Sequence, residues 1–103
     1  MIARTWRGTA TGAAKASDYY RHFTTAAAPH LKKIDGHKGA LLLRREVNSL
    51  VEFVAVTLWD SILAVEKFAG SMPEAAIVEP EGRAALLSFD DFATHYEVAY
   101  EGD

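Results

Sequence analysis

Val51-Glu52-Phe53-Val54-Ala55-Val56-Thr57-Leu58-Trp59 runs straight into Asp60-Ser61 and a new helical pattern. A strand with one wet face alternates apolar and polar residues. Past Glu52, only Thr57 breaks the apolar run here. That pattern predicts a sheet buried on both faces. The chain's own helices can cover one face. The expected cover for the other is a second copy of the chain.

The neighbouring segments read outward from this strand. His37–Glu46 is a second apolar strand with Ala40–Leu43 at its centre, and Val47-Asn48-Ser49 supplies a hairpin turn between the two. Asp60 or Ser61 caps a helix over Ile62–Ala69, with Val65, Phe68 and Ala69 facing inward and Gly70 ending it. Toward the N-terminus, Ile2–Thr9 is a strand. Ala13–Ala28 is a helix with Tyr19 or Tyr20, Phe23 and Ala27 on one stripe. Pro29 lacks a backbone N–H, so it should kink this helix or open a fresh turn over His30–Ile34. Ser71–Arg83 reads as loop with a helical turn at Glu74–Ile77, Ala84–Phe89 as a short extended piece, and Thr94–Tyr100 as the last strand.

The order β-α-β-β-α-β is the ferredoxin-like split βαβ pattern, an α+β sandwich on a four-stranded antiparallel sheet in the spatial order four, one, three, two. Residues 1–103 are expected to form one such domain. Both helices fall on one face. The other keeps apolar side chains of either parity, with Leu41 and Leu43 opposed to Ala40 and Leu42, and Phe53 and Ala55 opposed to Val54 and Val56. Left in water, that face would exceed the apolar patch usual for monomers, so a homodimer through the sheet face is expected.

Composition narrows the function classes. Half of the 103 residues are apolar and the net charge is −3 with no basic block, so nucleic acid and anionic membrane surfaces are not expected partners. There is no cysteine, which removes disulfides, thiolate metal sites and cysteine nucleophiles. No segment reads as a membrane span and the first residues lack the apolar core of a signal peptide, so a soluble, cytoplasmic protein is expected.

Met1–Gly8 (MIARTWRG), Gly39–Arg45 (GALLLRR), Glu52-Phe53, Leu58–Ser61 (LWDS), Phe68–Gly70 (FAG) and His95–Val98 (HYEV) together resemble small bacterial proteins of the dimeric α+β-barrel superfamily, in the group of the antibiotic biosynthesis monooxygenases. The resemblance spans almost the whole chain. It implies a dimeric barrel with a substrate cavity between helices and sheet. Relatives include cofactor-free monooxygenases of aromatic polyketides, heme-degrading enzymes and proteins without known activity. Trp59 is the best counterpart of the tryptophan in the substrate cavity of the quinone-forming members. The heme-degrading members carry an axial histidine on the helical side after the third strand. Phe68-Ala69-Gly70-Ser71 and the following loop contain none, so no heme cofactor is expected.

The candidate site follows from an expected parallel arrangement of strands one and three. Trp6, Trp59 and His95 would then gather at one end of the sheet, with Trp59 and His95 as catalytic candidates: aromatic wall and proton acceptor. Trp6, Tyr20, His22 and Phe23 are the candidate substrate-binding walls. Otherwise the two tryptophans are core or interface anchors, His95 is a hydrogen-bonded strand residue and His22 is a solvated helix residue. Arg4, between Ile2 and Trp6 on one face of a central strand, needs a partner, and Glu97 on the neighbouring last strand is expected to form a structural ion pair with it. His22 and His30 lie eight residues apart with no His-x-His or His-Glu-x-x-His motif, so no metal site is expected. Gly-x-Gly-x-x-Gly, phosphate-loop and Gly-x-Ser-x-Gly motifs are absent as well.

Two functions remain open. One is a cofactor-independent monooxygenase of a small aromatic, polyketide- or quinol-like substrate. The other is a non-catalytic homodimer that binds a small ligand or serves as an interaction module. An enclosed cavity with His95 and Trp59 both exposed to it would favour the enzyme.

Overall fold

A computed structural model describes residues 1–103. Its elements are β1 (Ile2–Ala10), α1 (Ala13–His22), a π-helical turn (Phe23–Ala27), α2 (Ala28–Lys32), β2 (His37–Val47), β3 (Leu50–Trp59), α3 (Ile62–Ala69), α4 (Pro80–Ala85), β4 (Ser88–Phe89) and β5 (Thr94–Glu97). The sheet runs β2-β3-β1, and both β4 and β5 pair with the free edge of β1. This is the expected ferredoxin-like α+β sandwich, with the last strand split in two.

Local chemistry sets the boundaries. The β2–β3 hairpin turns on Asn48 and Ser49, both at positive φ, the primed geometry that matches the twist of the flanking strands. Ser61 caps α3 by accepting the N–H of Ala64, and Gly70 closes that helix at φ 85°. The helical turn expected at Glu74–Ile77 forms instead at α4. Pro80 there follows Glu79 and sits in the first turn, where its missing N–H costs nothing.

Pro29 has a longer reach. In a regular α-helix its ring would press on the carbonyl of Thr25. The chain widens by one residue just before it, and Ala28 donates to Phe23 five positions back. This π turn absorbs the proline without breaking the helix. It also changes which side chains share a face. His22 and His30 would lie about 80° apart on a regular helix, but one absorbed residue brings them to within about 20°.

The sheet corrects the expected arrangement of the first and third strands. β1 lies parallel to β2 across the helical crossover, and the hairpin reverses β3, so β1 and β3 are antiparallel. Trp59 stands opposite Ile2 and Trp6 opposite Ala55. Four rungs, about 13 Å, therefore separate the two tryptophans along the sheet, and they do not meet at one end. His95 lies between them, opposite Arg4.

Alternation sorts the faces. Ile2, Arg4, Trp6, Gly8 and Ala10 of β1 point toward the helices, as do Val51, Phe53, Ala55, Thr57 and Trp59 of β3. His95 and Trp59 thus share the helix-covered face. Two core clusters form there. Tyr19, Phe23, Val51 and Phe53 centre the first, and Leu31, Trp59, Ala64 and Val65 the second. On the opposite face Leu41 and Leu43 are 57% and 48% exposed, flanking the half-buried Val54, Val56 and Leu58, and no element of the chain covers them. No helix is long and apolar enough to cross a membrane.

Candidate functional site

Between the two core clusters, the helices and the sheet do not quite meet. The gap is a cavity in which centres of water-sized spheres can occupy about 90 Å³. One water needs roughly 10–15 Å³ by that measure, so the space is ample for a small organic ligand. Its floor is Arg4 and Trp6 of β1 with Ala55 and Thr57 of β3. Its roof is Tyr19, His22, Phe23, Ala27, His30 and Leu31 of the helical segment interrupted by the π turn. Phe68 of α3 closes one side; Ile77, Val78, Glu79 and Gly82 close another.

Of the residues singled out from sequence, Trp6, His22 and Phe23 line this cavity. Tyr20 does not: it is exposed on the outer side of α1, and its neighbour Tyr19 takes the inward position. Trp59 and His95, the catalytic candidates, do not line it either. Trp59 is 0% exposed and donates from Nε1 to Thr57 Oγ1 at 2.8 Å. Phe68 stacks on it at 6.0 Å between ring centroids and presents its own ring to the cavity. His95 is screened by the Arg4 guanidinium, whose Nη1 lies 3.1 Å from His95 Nε2.

The expected Arg4–Glu97 ion pair is absent. β5 pairs with β1 so that His95 faces Arg4 and Glu97 faces Ile2, two residues out of register, and Glu97 remains exposed. Arg4 is 5% exposed, and its charge is met by carbonyls. Nη1 donates to Pro73 O, and Nη2 donates to Ala75 O at 2.7 Å. Phe68 lies against the guanidinium at 5.5 Å. Burial pushes the Arg4 pKa down, with Glu74 opposing, yet an arginine stays charged at neutral pH. The loop after α3, which reaches the cavity through Ile77, Val78 and Glu79, is thereby pinned to a central strand.

The remaining polar groups have definable states. Burial raises the Tyr19 phenol to about 12, so Tyr19 stays protonated and can donate. Thr57 Oγ1 accepts from Trp59, leaving its own hydrogen free for another partner. Trp6 Nε1 is engaged with Asp90 O at 2.8 Å, so Trp6 offers the cavity only its ring. His22 makes no side-chain hydrogen bond within the chain. It packs so tightly on α4 that a Cβ at Gly82 would come within 3.1 Å of its Cδ2.

His95 faces a guanidinium that cannot accept, so its Nε2 carries the lone pair and its proton is on Nδ1. Burial first, and then the Arg4 charge, hold its pKa below the ordinary histidine value, while Glu74 opposes. A histidine depressed in the folded state takes up protons more readily when unfolded. Its contribution to stability is therefore complete above about pH 6.5 and falls away as the pH drops through the depressed value. His95 is only partly buried, so solvent screening keeps the loss small. Urea melts at pH 7.5 and pH 5 should show this drop in wild type and a smaller one in His95→Gln. His37, also depressed by burial, supplies the residual dependence in the variant. Equal pH dependence in both proteins would contradict the Arg4–His95 contact.

The helix–sheet layering and the cavity between the layers define an α+β domain with the fold of the antibiotic biosynthesis monooxygenase-like proteins. No protein-family model matches the chain, and no curated protein matches it. Solved structures do. A candidate antibiotic biosynthesis monooxygenase from Bacillus cereus superposes with a TM-score of 0.71 at 18% identity, over 100% of this chain and 95% of that one. The heme degrader MhuD from Mycobacterium tuberculosis, with two hemes bound in its active site, gives 0.64 at 17% identity, over 98% and 99%. The monooxygenase ActVA-Orf6 of Streptomyces coelicolor, in complex with nanaomycin D, gives 0.63 at 14%, over 99% and 92%. At these identities the likeness is one of fold.

The segment expected to carry a heme's axial histidine does not hold one. No histidine occurs between His37 and His95, so α3 and its following loop offer no axial ligand. Nor does any cluster of three or more histidine, aspartate and glutamate side chains converge at a spacing suited to a metal ion.

Proposed function

We propose that this chain is a cofactor-independent monooxygenase of a small, electron-rich aromatic substrate held in the helix–sheet cavity. The observation that carries this reading is the cavity itself, walled by Trp6, Phe23 and Phe68, with the unpaired imidazole of His22 on its lining. The fold shared with ActVA-Orf6 adds support.

The chemistry needs no metal when the substrate is itself the reductant. His22 would take a proton from an anthrone-like carbon acid, or from a phenol with a free para position that reacts as its CH₂ tautomer. The resulting anion passes one electron to molecular oxygen, and the radical pair combines to form a carbon–oxygen bond. His22 returns its proton to the peroxide. Loss of water from the peroxide, with the second hydrogen of the original CH₂ group, leaves a carbonyl. The balance is CH₂ + O₂ → C=O + H₂O. The protein supplies a dry, aromatic-walled space and the proton acceptor.

Oxygen consumption with a panel of anthrones and phenols with a free para position tests the reading. Uptake of one oxygen per carbonyl formed supports it; no turnover across the panel leaves the chain as a small-ligand-binding protein.

The uncovered sheet face supports a homodimer under either function. Leu41, Leu43, Val54, Val56 and Leu58 form one apolar surface on it. Sedimentation at micromolar concentration should give twice the 11.3 kDa chain mass. Val56→Lys should shift the species to the single-chain mass, since a buried unpaired charge at a core interface position is strongly unfavourable. A wild-type monomer would contradict the dimer.

A further inference from the structure

Arg4 has more donors than the chain uses. Of the five guanidinium N–H groups, two on Nη1 and one on Nη2 are directed at Pro73 O, His95 Nε2 and Ala75 O. The Nε hydrogen and the second Nη2 hydrogen have no partner in the chain. No carboxylate lies within 4 Å of the guanidinium, and every ion pair of the chain involves other cations. Arg4 is nonetheless 5% exposed and forms part of the cavity floor. A buried, permanently charged group whose counter-charge, Glu74, acts only from beyond salt-bridge distance is costly unless something else completes it. Its immediate neighbours on the cavity lining are Thr57, with a free hydroxyl hydrogen, and the Phe68 ring. Cation, hydroxyl donor and aromatic wall together fit one chemical class.

We infer that the cavity binds its aromatic ligand as an anion, with a carboxylate or phenolate oxygen against the unused Arg4 donors and the ring among Trp6, Phe23 and Phe68. Arg4 is then the residue that sets specificity for charge. The inference rests on the same cavity as the proposed oxygenase, and deepens it: a phenolate held by Arg4 is an electron-rich ring from which His22 need take only the carbon-bound proton before reaction with oxygen. The two donors that pin the loop and the one directed at His95 keep the guanidinium in place, so its orientation toward the ligand is set before binding.

Two ligand sources share this chemistry, and two probes separate them. The carboxylate arm compares benzoate with benzamide by calorimetry at pH 7. Benzoate should bind about 10–100-fold more tightly, the range expected for charge-assisted hydrogen bonds. The phenolate arm titrates 4-nitrophenol, whose yellow anion reports its own ionisation. In the presence of protein its apparent pKa should fall by about one unit or more. Arg4→Gln should abolish either effect, and Arg4→Lys should retain part of it. If Arg4→Gln fails to fold, the wild-type comparisons decide. Equal binding of benzoate and benzamide with no shift for 4-nitrophenol, or an anion preference that survives in Arg4→Gln, overturns the inference. Anion preference without oxygen uptake on any substrate leaves Arg4's role standing and removes the oxygenase. Oxygen uptake on neutral and anionic substrates alike, with no anion preference, does the reverse.

Discussion

Replacing His22 with alanine is expected to lower kcat for an oxidisable anthrone by about 10²–10⁴-fold, the usual contribution of a positioned general base. The expectation rests on placement. His22 lines the cavity on the roof side, carries no hydrogen bond to the rest of the chain, and is half-buried. Its position is braced from two sides. Tyr19 lies 6.3 Å away between ring centroids, and α4 approaches so closely at Gly82 that no larger residue fits without moving the imidazole. Because His22 hydrogen-bonds to nothing in the chain, His22→Ala should lose only its packing on Tyr19 and Gly82 and should keep a cooperative unfolding transition. Loss of kcat with an intact melting curve therefore assigns chemistry rather than packing. His95→Ala is the control: His95 sits behind Arg4, outside the cavity, and should retain most of the activity. If His22→Ala turns over like wild type while His95→Ala is dead, the assignment of the base is wrong.

Trp59→Ala should cost about 3–5 kcal/mol of stability, within the range for removing a buried tryptophan. For a domain of this size that is a third or more of the whole. Trp59 is fully buried where three elements meet: it stacks on Phe68 of α3, takes the His37 ring edge-on at 5.0 Å, and packs with Leu31 of α2. Its removal opens a void that those rings can only partly fill. It also frees Thr57 Oγ1 and removes the surface on which Phe68 rests, so the cavity wall should loosen with the core. Trp59→Phe keeps most of the packing and loses the Nε1–Thr57 bond, at about 1 kcal/mol. Urea denaturation monitored by circular dichroism separates the two. A loss under about 1.5 kcal/mol for Trp59→Ala would mean that the second core cluster does not hold this end of the sheet. Any loss of activity beyond the loss of folding should come through Phe68, since Trp59 itself does not touch the cavity.

Much of the architecture was legible in particular residues. The Val51–Trp59 run, polar only at Glu52 and Thr57, marks a strand covered on one face and apolar on the other. Asn48-Ser49 marks the hairpin, and Ser61 and Gly70 bracket α3. These are local signals: each acts through the backbone conformation of a few residues, which the adjoining side chains control directly. The register of the strands was less legible, and the site errors come from there. Reversing β3 relative to β1 moves Trp59 from a shared aromatic corner to the far end of the sheet, opposite Ile2, and a two-residue offset of β5 gives Arg4 to His95 rather than Glu97. The missed wall residue Tyr19 did have a signal. Positions 19, 22, 23, 27 and 30 keep one stripe once Pro29 is allowed to force an extra residue into the helix.

By itself, then, the sequence determined the element order, the strand that anchors the sheet and the need to cover two faces, because hydrophobic periodicity and turn chemistry act over short spans. Only the tertiary structure decided which polar side chains reach the cavity. A β-strand sends neighbouring residues to opposite faces, and a helix rotates about 100° per residue. A single-step change in pairing or one absorbed residue thus reassigns a whole set of side chains. The Val51–Trp59 strand holds the sheet together as its apolar pattern requires. The two residues proposed to act on the ligand, His22 and Arg4, lie beside it on the cavity lining, placed there by the helix above and by the register of β1.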